Sequence, residues 1–92
     1  MLELIPWEWE EVLGSIFTFG AQKYAAHNWK KSLNTEDHDQ LKEDRLGSAK
    51  RHILAYQKGE KLDLESGQPH LGHAAWNLLC VMWYDLNERK NS

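Results

Sequence analysis

The stretch PHLGHAAWNLLCVMWYDLNE, residues 69–88, decides the fold. Pro69 suits the first turn of a helix, where its missing N–H costs little. Leu71, Ala74/Ala75, Leu78, Val81/Met82 and Leu86 then recur at the helical period, which predicts a helix from Pro69 to about Glu88 with a broad apolar surface. On the same helix His70, His73 and Asn77 occupy positions i, i+3 and i+7, so they share one face, and the leucines lie on the opposite side. Trp76 and Trp83, one heptad apart, also share a face.

Working outward, Glu60 to Gln68 is rich in carboxylates and turn formers and reads as a linker. Before it, a helix is predicted over His38 to Lys58, with a thin apolar line (Leu41, Leu46, Ala49, Ile53, Tyr56) and Gly59 at its C-terminal cap. A first helix is predicted from Pro6 to about Ala26. Glu8, Glu10 and Glu11 complement its positive end, and Trp9, Val12/Leu13, Ile16, Gly20 and Tyr24 recur at helical spacing. Gly14 and Gly20 weaken that helix as propensity goes, and close approach of another helix or a ligand is the expected reason for them. His27-Asn28-Trp29 ends it, and Lys30 to Asp37 is a polar connection. No strand pattern is present. The fold class is all-α with three main helices in a single domain over residues 1–92, and the apolar surface on the third helix predicts a bundle completed by oligomerisation.

Ninety-two residues bury only about two-thirds of their unfolded surface, so one modest core is expected of them and not a multi-domain enzyme or a large barrel. The formal net charge is −3, so nothing suggests a general affinity for polymeric nucleic acid or for acidic membranes. Cys80 lies in an apolar run, where a buried, inert thiol is expected, and it has no intramolecular partner. With neither a signal peptide nor a membrane-length apolar run, the expected location is cytoplasmic.

Four features can carry chemistry. The His70/His73/Asn77 stripe is able to bind a metal, a phosphate or a base edge, or it satisfies itself in structural hydrogen bonds. The linker motif Gly59-Glu60-x-x-Asp63-x-Glu65-Ser66-Gly67 offers oxygen ligands for Mg²⁺ or Mn²⁺, or is an ordinary solvated acidic loop. Arg45, Lys50, Arg51 and His52 line the second helix, as phosphate readers or as wet surface. Phe19-Gly20-Ala21-x-Lys23-Tyr24 with Asn28-Trp29 can stack on and hydrogen-bond a nucleobase, or form a core aromatic cluster. No phosphate loop, dinucleotide fingerprint or serine nucleophile elbow occurs.

Taken in order, Phe19-Gly20-Ala21-x-Lys23-Tyr24, Asn28-Trp29, Arg51-His52, the Gly59–Gly67 motif and Pro69-His70-Leu71-x-His73-Ala74 through Asn77 resemble the phage and prophage dATP/dGTP diphosphohydrolase N-terminal domain family, over about residues 2–88. The resemblance implies kinship with MazG-like all-α nucleotide pyrophosphohydrolases. It also implies hydrolysis of a purine deoxynucleoside triphosphate to the monophosphate and pyrophosphate with Mg²⁺ or Mn²⁺. Under it Glu60, Asp63, His70 and His73 are the metal ligands. His52 or Glu65 orients or deprotonates water, and Arg51 and Lys23 neutralise phosphate. Tyr24, Asn28 and Trp29 face the purine, with Asn77 as a further substrate contact. It places the protein as a homo-oligomer in the cytoplasm of an infected or lysogenic bacterial host. The sequence departs from the MazG pattern in one respect: Glu60-x-x-Asp63 keeps one of two acidic pairs but in a linker, and histidines stand where helix acids belong. The alternative, from a different class, is an oligomer that binds a nucleotide and sequesters it without cleaving it.

Overall fold

In the computed structural model the chain forms three helices: α1 over Trp7–Lys23, α2 over His38–Gln57 and α3 over His70–Asn91. The structure describes residues 4–23 and 38–91, with side chains over 4–19 and 39–87. The chain is all-α, and the described residues include no strand beyond an isolated antiparallel bridge between Leu62 and Pro69. No described helix is long and apolar enough to cross a membrane.

The elements end where local chemistry says they should. Gly59, at φ 101°, sits just past α2 in the left-handed region that a Cβ disfavours. Its N–H donates to the Tyr56 carbonyl at 2.9 Å, and the Glu60 N–H donates to the Ala55 carbonyl at 3.0 Å. This paired pattern satisfies carbonyls that the helix end would otherwise leave open. At the start of α3 the Pro69 carbonyl accepts from the N–H groups of Gly72 and His73.

The short connection between α2 and α3 is pinned by its own backbone. Asp63 N–H donates to Gln68, Gly67 N–H to Asp63, and His70 N–H to Lys61, at 2.7–2.9 Å. Gly67 takes φ 74° in the middle of this turn. The result is a rigid loop holding Asp63 and Ser66 over the first turn of α3.

Packing runs chiefly between α2 and α3, with α1 laid on α3. The α1 contact depends on Gly72: a Cβ there would meet Val12 Cγ1 at 2.6 Å and Ile16 Cδ1 at 3.1 Å. Phe17 meets Trp76 edge-on, ring centroids 5.3 Å apart, and the Arg45 guanidinium lies 4.8 Å over the same Trp76 ring. No other helix among the described residues approaches Gly14 closely, since nothing lies within 4 Å of a Cβ placed on it. The surroundings of Gly20 lie outside the described residues.

On α3 the polar stripe, and not the leucine row, is the buried face. The buried line of α3 is His70, His73, Ala74, Asn77, Cys80 and Tyr84, whereas Leu71, Leu78, Met82 and Leu86 are exposed. On α2 the same holds: Ala49 is buried, and Ile53 and Tyr56 face outward. The polar stripe is inside because α2 and the connection supply partners for its imidazoles and for the Asn77 amide N–H, while Asn77 Oδ1 is buried without one. Buried polar groups are tolerated where they are hydrogen-bonded.

Candidate functional site

The site lies where α2, the connection and α3 meet. His52 sits on α2 four residues after Ser48, one turn along the face that meets α3. His70 and His73 come from the first turn of α3, Glu60 follows the α2 cap, and Asp63 and Ser66 belong to the pinned loop. These elements bring together residues separated by up to 21 positions.

His70 is the centre of a directional chain. Its Nε2 lies 2.9 Å from Glu60 Oε2, and its Nδ1 lies 2.8 Å from His52 Nδ1. A carboxylate only accepts, so His70 donates through Nε2. With only that proton on the ring, Nδ1 presents a lone pair to which His52 Nδ1–H can donate. One ligand atom each from His52, Asp63 and His70 lies within 4.8 Å of the others.

His73 is held beside this group. Its Nε2 shares a 2.6 Å hydrogen bond with Ser66 Oγ and lies 3.7 Å from Asp63 Oδ2. Its ring stacks on His52, with centroids 4.6 Å apart and planes 11° from parallel. Ser66 ties the loop to it from both ends: its N–H donates to Asp63 Oδ2 at 2.8 Å, and its Oγ accepts from Gln68 N–H at 3.2 Å.

Burial, with the neighbouring imidazoles His73 and His70, lowers the His52 pKa. Burial likewise lowers that of His73, against the opposing pull of Asp63. For Asp63, burial pushes the carboxyl upward, but the Ser66 hydrogen bonds and the adjacent His73 outweigh it and hold the group below its ordinary value. At neutral pH this leaves neutral His52 and His73 rings beside an anionic carboxylate. That is a donor set for a cation.

Of the residues that the sequence singled out, the fold gathers His52, Glu60, Asp63, His70 and His73. Glu65 is exposed on the connection, near enough for its charge to act on His73. Arg51 is exposed on α2 and folds back toward Gly47, where a Cβ would meet its guanidinium nitrogen at 3.6 Å. Asn77 lies deeper than the cluster, 3% exposed, and donates to the His73 carbonyl at 2.8 Å and to Ser48 Oγ at 3.3 Å. The Lys23 side chain and Tyr24, Asn28 and Trp29 lie outside the described residues. Two contributors went unassigned on sequence: Ser48, with no distinguishing signal, and Ser66, which sits inside the quoted loop motif. An open depression of 520 Å³ adjoins the loop, lined by Glu10, Glu11, Ser15, Thr18 and Phe19 of α1 and by Ser66.

Comparison with known proteins agrees with this picture at the level of family. The family model described as dATP/dGTP diphosphohydrolase, N-terminal, matches residues 1–92. A Salmonella phage PMBT28 protein named dATP/dGTP diphosphohydrolase is 36% identical over 92 residues, covering 99% of this chain and 28% of that protein. The chain therefore spans less than a third of the length of that relative. No solved structure matches. The helices, the loop motif and the full-length family match lead to one conclusion: the chain belongs to the dATP/dGTP diphosphohydrolase N-terminal family.

Proposed function

We propose that this chain serves the hydrolysis of purine deoxynucleoside triphosphates, dATP or dGTP, to the monophosphate and pyrophosphate, with a divalent cation at the His52/Asp63/His70 group. The observation that carries the reading is the convergence of these three side chains from three successive segments. Mg²⁺ or Mn²⁺ is the cofactor that the family kinship suggests. When bound, such an ion supplies charge neutralisation of phosphate oxygens and a more acidic water. The chain's own residues do the rest. Glu60 fixes the His70 ring, and Ser66 holds His73 against His52. Arg51 and Lys23 neutralise phosphate and Tyr24, Asn28 and Trp29 face the purine, with the homo-oligomer joining the exposed leucine faces of α3.

A second reading is favoured by one observation: the three closest ligand groups include only one carboxylate, where a hard-cation hydrolase site uses several. On that reading the chain binds the nucleotide and does not cleave it. Incubation with dATP or dGTP and Mn²⁺, followed by assay for pyrophosphate, separates the two. Pyrophosphate release that is abolished in Asp63→Asn supports hydrolysis. Tight binding with intact nucleotide refutes it.

A further inference from the structure

We propose that His52 Nδ1, His70 Nδ1 and the Asp63 carboxylate form a three-ligand site selective for a nitrogen-preferring first-row transition ion of the zinc and cobalt class, and that Mg²⁺, one of the two ions the family kinship suggests, does not fit this donor set. The inference rests on the reading of this cluster as a cation site and is independent of whether the chain hydrolyses anything.

Three observations carry it. The first is the donor chemistry. Two imidazole nitrogens and one carboxylate match the two-histidine, one-carboxylate set of open zinc sites, whereas Mg²⁺ takes oxygen ligands and surrenders its water reluctantly. The second is spacing. The two Nδ1 atoms are 2.8 Å apart, and two nitrogens on one tetrahedral zinc sit about 3.3 Å apart, so the rings need part by only about half an ångström. The third is orientation. Glu60 accepts from His70 Nε2 at 2.9 Å, the carboxylate–histidine arrangement that fixes the tautomer of a ligating imidazole and aims its other nitrogen at the ion.

The proton count closes without a co-reactant. Without an ion, the tautomer with His52 Nδ1–H bridges to His70 Nδ1. Binding moves that proton to His52 Nε2 by exchange with solvent, both rings stay neutral, and two lone pairs face the ion. Glu60 and His73 then change role from the ligands that the sequence suggested to positioning residues. Glu60 holds His70, and His73, tied to Ser66 at 2.6 Å and stacked on His52, holds the His52 plane.

The test uses the whole chain, stripped with a chelator. Calorimetric titration with Zn²⁺ and with Mg²⁺, and visible absorption with Co²⁺, read the metal directly. The expected result is one Zn²⁺ per chain, bound at least about 100-fold more tightly than Mg²⁺, with intense Co²⁺ bands typical of a low-coordinate nitrogen site. Glu60→Gln is expected to weaken Zn²⁺ binding about 10- to 100-fold while keeping the Co²⁺ bands. His52→Ala, with its helicity checked by circular dichroism, is expected to lose both. Equal affinity for Mg²⁺ and Zn²⁺, no Zn²⁺ binding by the wild-type chain, or full Zn²⁺ affinity in folded His52→Ala overturns the proposal. The wild-type titrations decide it even where a variant does not fold. Zinc binding without pyrophosphate release would retire the hydrolase reading and leave this site standing. Pyrophosphate release with no zinc binding would do the reverse.

Discussion

Replacing Gly72 by alanine places a methyl group 2.6 Å from Val12 Cγ1 and 3.1 Å from Ile16 Cδ1. The first distance lies well inside van der Waals contact. Val12 is β-branched with one strongly preferred helical rotamer, so its Cγ1 cannot swing aside cheaply. Ile16 is buried at 4% exposure and has little space to yield. The α1 helix must therefore move off α3, at the roughly 1–3 kcal/mol typical of overpacking. Opposing this, alanine is the better helix former by about 1 kcal/mol. A control separates the two effects. Gly14→Ala, in the same protein, adds the same methyl where nothing lies within 4 Å. It should stabilise by up to about 1 kcal/mol through propensity alone. Propensity cancels in the difference between the variants, leaving the packing cost, so Gly72→Ala should be about 1–3 kcal/mol less stable than Gly14→Ala. Urea denaturation followed by circular dichroism measures both. In a domain of this size, 1 kcal/mol shifts Tm by about 4–8 °C. If the two variants agree to within about 0.5 kcal/mol, α1 does not pack on Gly72 as described.

Three further outcomes follow from other parts of the structure. Tyr84→Ala should cost about 3–5 kcal/mol, because that ring is 1% exposed, while Leu78→Ala, 48% exposed, should cost under about 1 kcal/mol in the dissociated chain; urea midpoints in the opposite order would mean that α3 faces the other way. Gly59→Ala should destabilise by about 1–2 kcal/mol, because φ 101° admits a Cβ only under strain, and Gly59→Asn should cost less; equal denaturation midpoints would refute the cap. Burial pushes the Cys80 thiol up to about 11, so a thiol reagent at pH 8 should react slowly with folded protein and fast in urea. Since the folded pKa is the higher one, the neutral thiol favours folding below the unfolded value. That advantage should be lost as pH rises from 9 through 11, so the stability gap between wild type and Cys80→Ala should narrow across that range.

Much of the site is legible in the residues. His70 and His73 announce a shared helical face, and Glu60, Asp63 and Ser66 stand together in one loop motif. The family resemblance puts His52 among the site residues, but its contact with His70 and His73 is not legible. His52 lies 11 residues from Asp63 and 18 from His70, and nothing local says that its ring closes on theirs. The same applies to Gly72, whose neighbours Val12 and Ile16 are some 60 residues earlier in the chain. Gly14 attracts the close-approach argument on sequence because both are helical glycines, and only the packing of α1 distinguishes them.

By itself the sequence determines the three helices, the glycine cap at Gly59, the turn at Gly67 and the set of residues able to carry chemistry, because each depends on backbone and side-chain preferences within a few positions. The tertiary structure alone decides which way α3 turns. Periodicity tells which residues share a face, but not which of two faces meets a neighbour. The leucine row of α3 carries the larger aliphatic side chains, and yet the histidine–asparagine face is the buried one. Ser48, His52, Glu60, Asp63 and Ser66, brought from α2 and the connection, place hydrogen-bond partners and charge opposite it, and burial of polar groups follows where those partners are.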